Sequence, residues 1–227
     1  MTVMTTDFQR DAFGAGQFLR VVNWHNTPES ARTTLRRELA WYLDRFDPVL
    51  PADLDRYFDT GTWSLARPGF IPVFYDSYLN HATVAAPVCD ELGLTAWFFP
   101  PTTFLSVPPD EQEAYADAHN IDLVAEERGQ PSLAMSWDDL ERISRRHVIA
   151  GHTANHEQVV TIRTPADVER EIMEPLRRIE AVTGQAPTAF AWLYGRSFDA
   201  DTLAGQALLE AGVRYAVSNT AYQRIAD

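Results

Sequence analysis

The sequence predicts an α/β fold built on a parallel sheet, and three observations carry that reading. Six short runs rich in β-branched and aromatic residues recur along the chain, helical patterns separate them, and no internal repeat or low-complexity segment interrupts the alternation. Strands spaced by helices call for βα crossovers and hence parallel pairing, here closing into an irregular barrel of about seven strands. At 227 residues the chain is long enough for one full core, and no linker divides it, so residues 1–227 are read as a single domain.

The strand-like runs are Phe18–Trp24, Phe70–Phe74, Thr95–Phe99, Val148–Gly151, Thr188–Leu193 and Tyr215–Ser218, each short, apolar and rich in strand formers. Helical patterns fill the intervals at Glu29–Phe46, Ala52–Tyr57, Asn80–Leu92, Trp137–Arg146, Pro165–Val182 and Asp199–Glu210. Ser136 followed by Asp139 is a capping-box pattern, which reads Asp138 and Asp139 as caps rather than catalysts. Gly184 and Gly212 stand just past helices, where a C-terminal glycine is expected. Pro175, inside the long helix that begins at Pro165, is expected to kink it. The stretch from Pro100 to Pro131 exceeds a minimal βα connection and carries a helix at Asp110–His119; it is read either as a lid or wall of a pocket or as a packed surface insertion.

Composition narrows the function classes. Lys and Arg number 19 against 32 Asp and Glu, a net charge of −13, which disfavours nucleic acid or an anionic membrane as partner. No run approaches the ~20 apolar residues of a membrane span, and Met1–Asp7 has no basic region followed by an apolar stretch. The lone cysteine, Cys89, permits no intramolecular disulfide, so a cytoplasmic protein is expected.

The pentapeptide His152-Thr153-Ala154-Asn155-His156 follows the apolar run Val148-Ile149-Ala150 and spaces two imidazoles four residues apart. On a helical turn that spacing puts both rings on one face, about 5–6 Å apart at Cβ, within reach of one divalent metal. A third ligand is offered by Asp76, a lone carboxylate at the C-terminal end of the apolar run Phe70–Phe74, where its other reading is a helix cap. One Asp and two His, with positions open to water, make the ligand set of a hydrolytic metal centre.

At these residues the chain resembles the polysaccharide deacetylase family, the NodB-homology carbohydrate esterases. His152 to His156 matches the family's His-(Ser/Thr)-x-x-His motif in full. Val73-Phe74-Tyr75-Asp76-Ser77 aligns with Thr-Phe-Asp-Asp-Gly, keeping the metal-binding Asp as Asp76 and replacing the first, the family's catalytic base, with Tyr75. Phe190-Ala191-Trp192-Leu193-Tyr194-Gly195 corresponds to the family's third motif, in which Tyr194 would lend its backbone N–H to an oxyanion. The closing Leu-x-Ile-His segment, source of a catalytic acid, has no counterpart before Asp227. Resemblance spans roughly Leu19 to Thr220 and implies an irregular (β/α)7-type barrel, a divalent metal, expected to be Zn²⁺, held by Asp76, His152 and His156, and hydrolysis of a C–N bond.

A phenol, with an unperturbed pKa near 10, is a poor general base at neutral pH, so Tyr75 is expected to orient water or donate a hydrogen bond to substrate. His25, closing the first strand, is read either as a pocket-lining catalytic group or as a turn histidine, and His81 as a site residue or a cap. Tyr78, Trp97 and Trp192, beside strand ends, are read as walls for a sugar or as plain core. The leading expectation is a metal-dependent deacetylase acting on an N-acetylated sugar, an oligosaccharide or a related small amide. Two alternatives stand beside it: an impaired deacetylase-like domain that binds a carbohydrate or partner, and a cyclic-amide hydrolase of the allantoinase or imidase type. A barrel short of its final strand leaves an edge, so Tyr215–Asp227 is expected to be covered by another chain, giving a homo-oligomer, or by Met1–Gly16.

Overall fold

The computed structural model describes residues 11–219 and 222–226. β1 (Leu19–Trp24), the two-residue β2 (Asp47–Pro48), β3 (Gly69–Tyr75), β4 (Trp97–Phe99) and β5 (Val148–Ile149) form one parallel sheet in the order β1-β3-β4-β5, with β2 beside the start of β3. A second sheet runs β6 (Ala189–Ala191), β7 (Tyr215–Val217) and β8 (Tyr222–Arg224), the first pair parallel and the last antiparallel. Gly151 joins the two: its N–H donates to Ala189 O at 2.8 Å, and its carbonyl accepts from Ala191 N–H at 3.0 Å. A Cβ at that crossing would lie 2.5 Å from the Phe190 ring and 2.7 Å from a Leu176 methyl, so only glycine lets the sheets approach.

The strands therefore follow one another as the α/β reading requires, but among the described residues no ladder joins β1 to β7 or β8. The unforeseen β8 takes the outer edge of β7, so that edge is paired within the chain itself. Helix α2 (Pro51–Thr60), which follows α1 (Arg32–Leu43), covers the gap: Phe58 lies against the Tyr215 and Tyr222 rings, and Asp55 pairs with Arg214 at 2.8 Å and accepts from the Tyr215 hydroxyl. β8 then stands at the end of this sheet in place of β7, and of the other expected cover, Met1–Gly16, residues 1–10 lie outside the described residues.

Alternation along the strands sorts the core into two layers. Val21, Ile71, Val73, Tyr75, Trp97, Phe99, Ala189, Ala191, Tyr215 and Val217 pack together inside the curve of the sheet. Phe70, Phe74, Phe98 and Ile149 point the other way, onto Leu35 and Leu39 of α1, Val88 of α3 (Ala86–Glu91), Leu140 and Ile143 of α5 (Trp137–Ser144, after α4, Gln112–Ala118) and Ile179 of a later helix. All seven residues of β3 are buried, as a parallel strand covered on both faces demands. Burying each large side chain contributes about 1.5–3 kcal/mol, which makes this double layer the main source of stability.

Two helices depart from the expected course in the same way. The helix expected over Asn80–Leu92 opens as a π turn, His81–Ala85, directly before α3 and its Pro87. That expected over Pro165–Val182 is α6 (Pro165–Val168), a π turn at Glu169–Met173, then α7 (Glu174–Thr183) with Pro175 in its first turn; α8 (Leu203–Glu210) follows. A proline lacks the helical N–H and crowds the carbonyl four residues back, and the longer spacing of a π turn just upstream accommodates it. At Pro175 the regular α-helix is interrupted in this form rather than by a kink at the proline itself, and each π turn carries one buried charged or titratable residue, His81 or Glu171, to the end of the sheet where the candidate site lies.

Candidate metal centre

β3 ends in Tyr75, and the chain turns away at once through Asp76 (φ 78°) and Ser77 (φ 59°), both left-handed. The described residues contain three more non-glycine positions of this kind, Asn120 (φ 57°), His156 (φ 57°) and Tyr194 (φ 61°). Asn and Asp adopt such backbone readily, whereas for Ser77, His156 and Tyr194 it costs about 1–3 kcal/mol and survives only where the surroundings over-determine it. Asp76, Asn120, His156 and Tyr194 all line one cavity of about 120 Å³, shared with His25, Tyr75, Asp122, His152, Trp192, Leu193 and Asn219. Strain is therefore concentrated where the expected ligands meet.

Asp76 and the two motif histidines are almost wholly buried. Nε2 of His156 lies 3.1 Å from Asp76 Oδ1, yet among the described residues that oxygen accepts no aligned hydrogen bond. The imidazoles are not on a helical turn as their spacing suggested. They follow β5 on a loop, closed by His156 N–H donating to Thr153 O at 3.2 Å, with ring centroids 5.0 Å apart.

Hydrogen bonds set the ring tautomers. Nδ1 of His156 lies 2.7 Å from the His119 carbonyl, which can only accept, so Nδ1 carries the proton and Nε2 the lone pair. Thr153 Oγ1 gives its own proton to Glu157 O at 3.0 Å and so accepts at 3.2 Å from Nδ1 of His152. Both Nε2 atoms are thereby left as acceptors, the form in which imidazole binds metal. Burial, with the neighbouring His156, lowers the pKa of His152 to about 3 and keeps it neutral. For His156 burial works against the charged ring, but the Asp76 carboxylate outweighs it and raises the pKa. Asp76 is held below the usual carboxylate range: burial opposes this, and His156, His25 and His152 overcome it.

The loop is clamped from behind. Glu171 accepts from Asn155 N–H at 3.0 Å and Asn155 Nδ2 at 2.8 Å, and its carbonyl accepts from Ala154 N–H at 3.1 Å. His25 Nε2 stands 4.0 Å from Asp76 Oδ2, and the buried His81 holds the His25 carbonyl through Nε2 at 2.5 Å. His81 is therefore a support behind the site, not a cap.

Tyr75 lies beneath His25 and His152, with ring centroids 5.4 and 6.3 Å away, and among the described residues its buried hydroxyl has no hydrogen-bond partner. Burial and the adjacent Asp76 push this phenol well above the tyrosine range, so it stays protonated. Trp192 and the exposed Tyr194 border the cavity. Tyr78 and Trp97 do not form a wall for a ligand. Tyr78 is fully buried, donating to Asp122 O at 2.8 Å and lying 3.4 Å from Asp76 Oδ2; Trp97 sits one layer below the strand ends, its Nε1 donating to Val49 O at 3.4 Å. Their places at strand ends carried no information about depth. Asn120, Asp122 and Asn219 come instead from segments that no periodicity marked, and the insertion from Pro100 to Pro131 proves to be a wall of the cavity.

Among the described residues no three His, Cys, Asp or Glu side chains are already gathered at coordinating spacing. No helix among them is long and apolar enough to cross a membrane.

The fold has solved relatives. A Streptococcus pyogenes deacetylase, PplD, in complex with acetate superposes with a TM-score of 0.65 at 14% identity, over 88% of this chain and 83% of that one. A de-N-acetylase from Aggregatibacter actinomycetemcomitans gives 0.66 at 16% identity, over 92% and 91%. IcaB from Ammonifex degensii gives 0.62 at 16%, over 88% and 83%. At these identities the likeness establishes the fold alone, a mixed α/β fold on a parallel sheet. Among curated proteins none matches this sequence. The family model for polysaccharide deacetylases matches residues 73–216, from the strand before Asp76 through both motif histidines to β7, and the chain belongs to the polysaccharide deacetylase family.

Proposed function

We propose that the chain is a metal-dependent deacetylase whose ion, Zn²⁺ by the chemistry of the donors, is held by Asp76, His152 and His156. The observation that carries this reading is the buried Asp76 Oδ1, without a hydrogen bond and 3.1 Å from an imidazole nitrogen whose own proton sits on the far side of the ring. A carboxylate and two neutral imidazoles suit Zn²⁺, and such a set leaves a position for water. When bound, the ion polarises a carbonyl and brings the pKa of water to about 7.

The chain's own residues account for the rest. Ligand pockets for whole small molecules run to about 300–1,000 Å³. A cavity of about 120 Å³ therefore suits an acetamide group, with a sugar ring left outside against the rim at Tyr194 and Trp192. Acetate in the Streptococcus pyogenes relative is the matching product fragment. Tyr75, a buried phenol without a partner, is placed to donate to a substrate oxygen and unable to take a proton. That same inability favours a second reading, in which the cleft binds an acetylated sugar without turning it over. Acetate release from N,N′-diacetylchitobiose by zinc-supplemented protein separates the two. Turnover above a chelator-treated control supports the enzyme, and saturable binding without turnover supports the binding domain. Opening of allantoin with no acetate release would overturn both.

A further inference from the structure

Amide hydrolysis needs two proton transfers, one from the attacking water and one to the departing amine. The cavity supplies few groups for them. Asp76, His152 and His156 are committed as ligands, and Tyr75 remains a phenol. Of the remaining cavity residues, Asn120, Trp192, Leu193, Tyr194 and Asn219 carry no side chain of the kind that relays protons in amide hydrolysis, which leaves the imidazole of His25 and the carboxylate of Asp122.

Asp122 is fixed by its backbone and free at its carboxylate. Its carbonyl accepts from the Tyr78 hydroxyl at 2.8 Å and from Asn26 Nδ2 at 3.2 Å, and the preceding Ile121 is buried in a core cluster. Three residues back, the His119 carbonyl orients His156, so residues 119–122 meet the site as a unit. Among the described residues nothing donates to the Asp122 side chain, whereas Glu127, nearby in the chain, has both carboxylate oxygens taken by Asn26 and Asn80.

We infer that Asp122, delivered by the insertion, is the proton acceptor of this site. Resting on the deacetylase reading above, the assignment balances the reaction: Asp122 takes a proton from water as its oxygen bonds to the amide carbon, His25 gives a proton to the nitrogen as the C–N bond breaks, and acetate and a free amine leave. The insertion thus restores the carboxylate function that Tyr75 cannot serve.

Two substrates separate the roles. p-Nitrophenyl acetate loses a phenolate that needs no proton, whereas N,N′-diacetylchitobiose loses an amine that does. In the zinc-loaded full chain, Asp122→Asn is expected to lower kcat/KM on both by about 10²–10⁴-fold. His25→Gln is expected to lower amide turnover far more than ester turnover. Asp122→Ala should regain ester turnover in added formate, with zinc affinity measured by calorimetry within threefold of wild type. Asp122→Asn with both rates within threefold of wild type overturns the assignment while leaving the deacetylase reading standing. Loss of zinc binding or of the fold in both Asp122 variants would make the residue structural and overturn it as well. A wild-type chain that binds zinc and cleaves neither substrate overturns the reading and the inference together.

Discussion

Replacing Glu171 should weaken metal binding from a distance, because this side chain touches neither expected ligand and yet holds the loop between them. Glu171 is 1% exposed and accepts both the N–H and the side-chain amide of Asn155, the residue just before His156. Glu171→Ala leaves those two part-buried donors unpaired, at about 1–3 kcal/mol each, for a loss of roughly 2–6 kcal/mol. Its contact with Arg170 Nε at 2.9 Å adds little, since that guanidinium side chain is more than half exposed. Glu171→Gln retains one acceptor and should lose about 1–3 kcal/mol. Because supports of this kind orient ligands, Zn²⁺ affinity should fall about 10–100-fold in the alanine variant. Urea denaturation of the metal-free chain reads the first quantity and calorimetric zinc titration the second. A variant that loses stability but binds zinc as tightly as wild type would refute the clamp, because the histidine pair would then hold its geometry without it.

Three further outcomes follow from the structure. Tyr75→Phe removes a buried hydroxyl that has no partner, so stability should hold or rise by up to about 1–2 kcal/mol, and a clear loss in urea denaturation would mean the phenol is bonded after all. Gly151→Ala places a Cβ 2.5 Å from Phe190 at the junction of the sheets and should cost about 1–3 kcal/mol, seen as a lowered Tm; an unchanged Tm would contradict the close approach. In the metal-free chain the raised pKa of His156 means that its pairing with Asp76 contributes fully below the ordinary imidazole value and is lost as pH rises through the folded value. A metal must displace that proton, so zinc affinity should climb by up to about tenfold per pH unit below the folded value and level off above it, and a flat profile would exclude the displacement.

Much of this was legible in the sequence, and the failures have physical causes. The unbroken apolar run before Asp76 marks a parallel strand covered on both faces, and β3 is that strand. Asp76, His152 and His156 were singled out by residue type and spacing and do line one cavity, although the spacing suggested a helical turn where the structure has a loop with left-handed His156. Pro175 announced a disturbed helix without saying that a π turn would absorb it and present Glu171. For Tyr78 and Trp97 the plain-core reading is the one the structure favours, and the sequence could not choose it because depth depends on register and on the turn after Tyr75. Asp122 left no periodic trace. Its nearest signal was Asn120 two residues earlier, a residue type that tolerates the left-handed turn found there.

Stripping the chain of metal and titrating Zn²⁺ back while following acetate release from N,N′-diacetylchitobiose tests the central claim most directly. Activity should be absent in the stripped protein, rise linearly and saturate at one equivalent per chain, with Asp76→Asn and His156→Ala failing to recover it. Full turnover in the stripped chain, or recovery undiminished in those variants, would contradict a metal centre built on Asp76, His152 and His156.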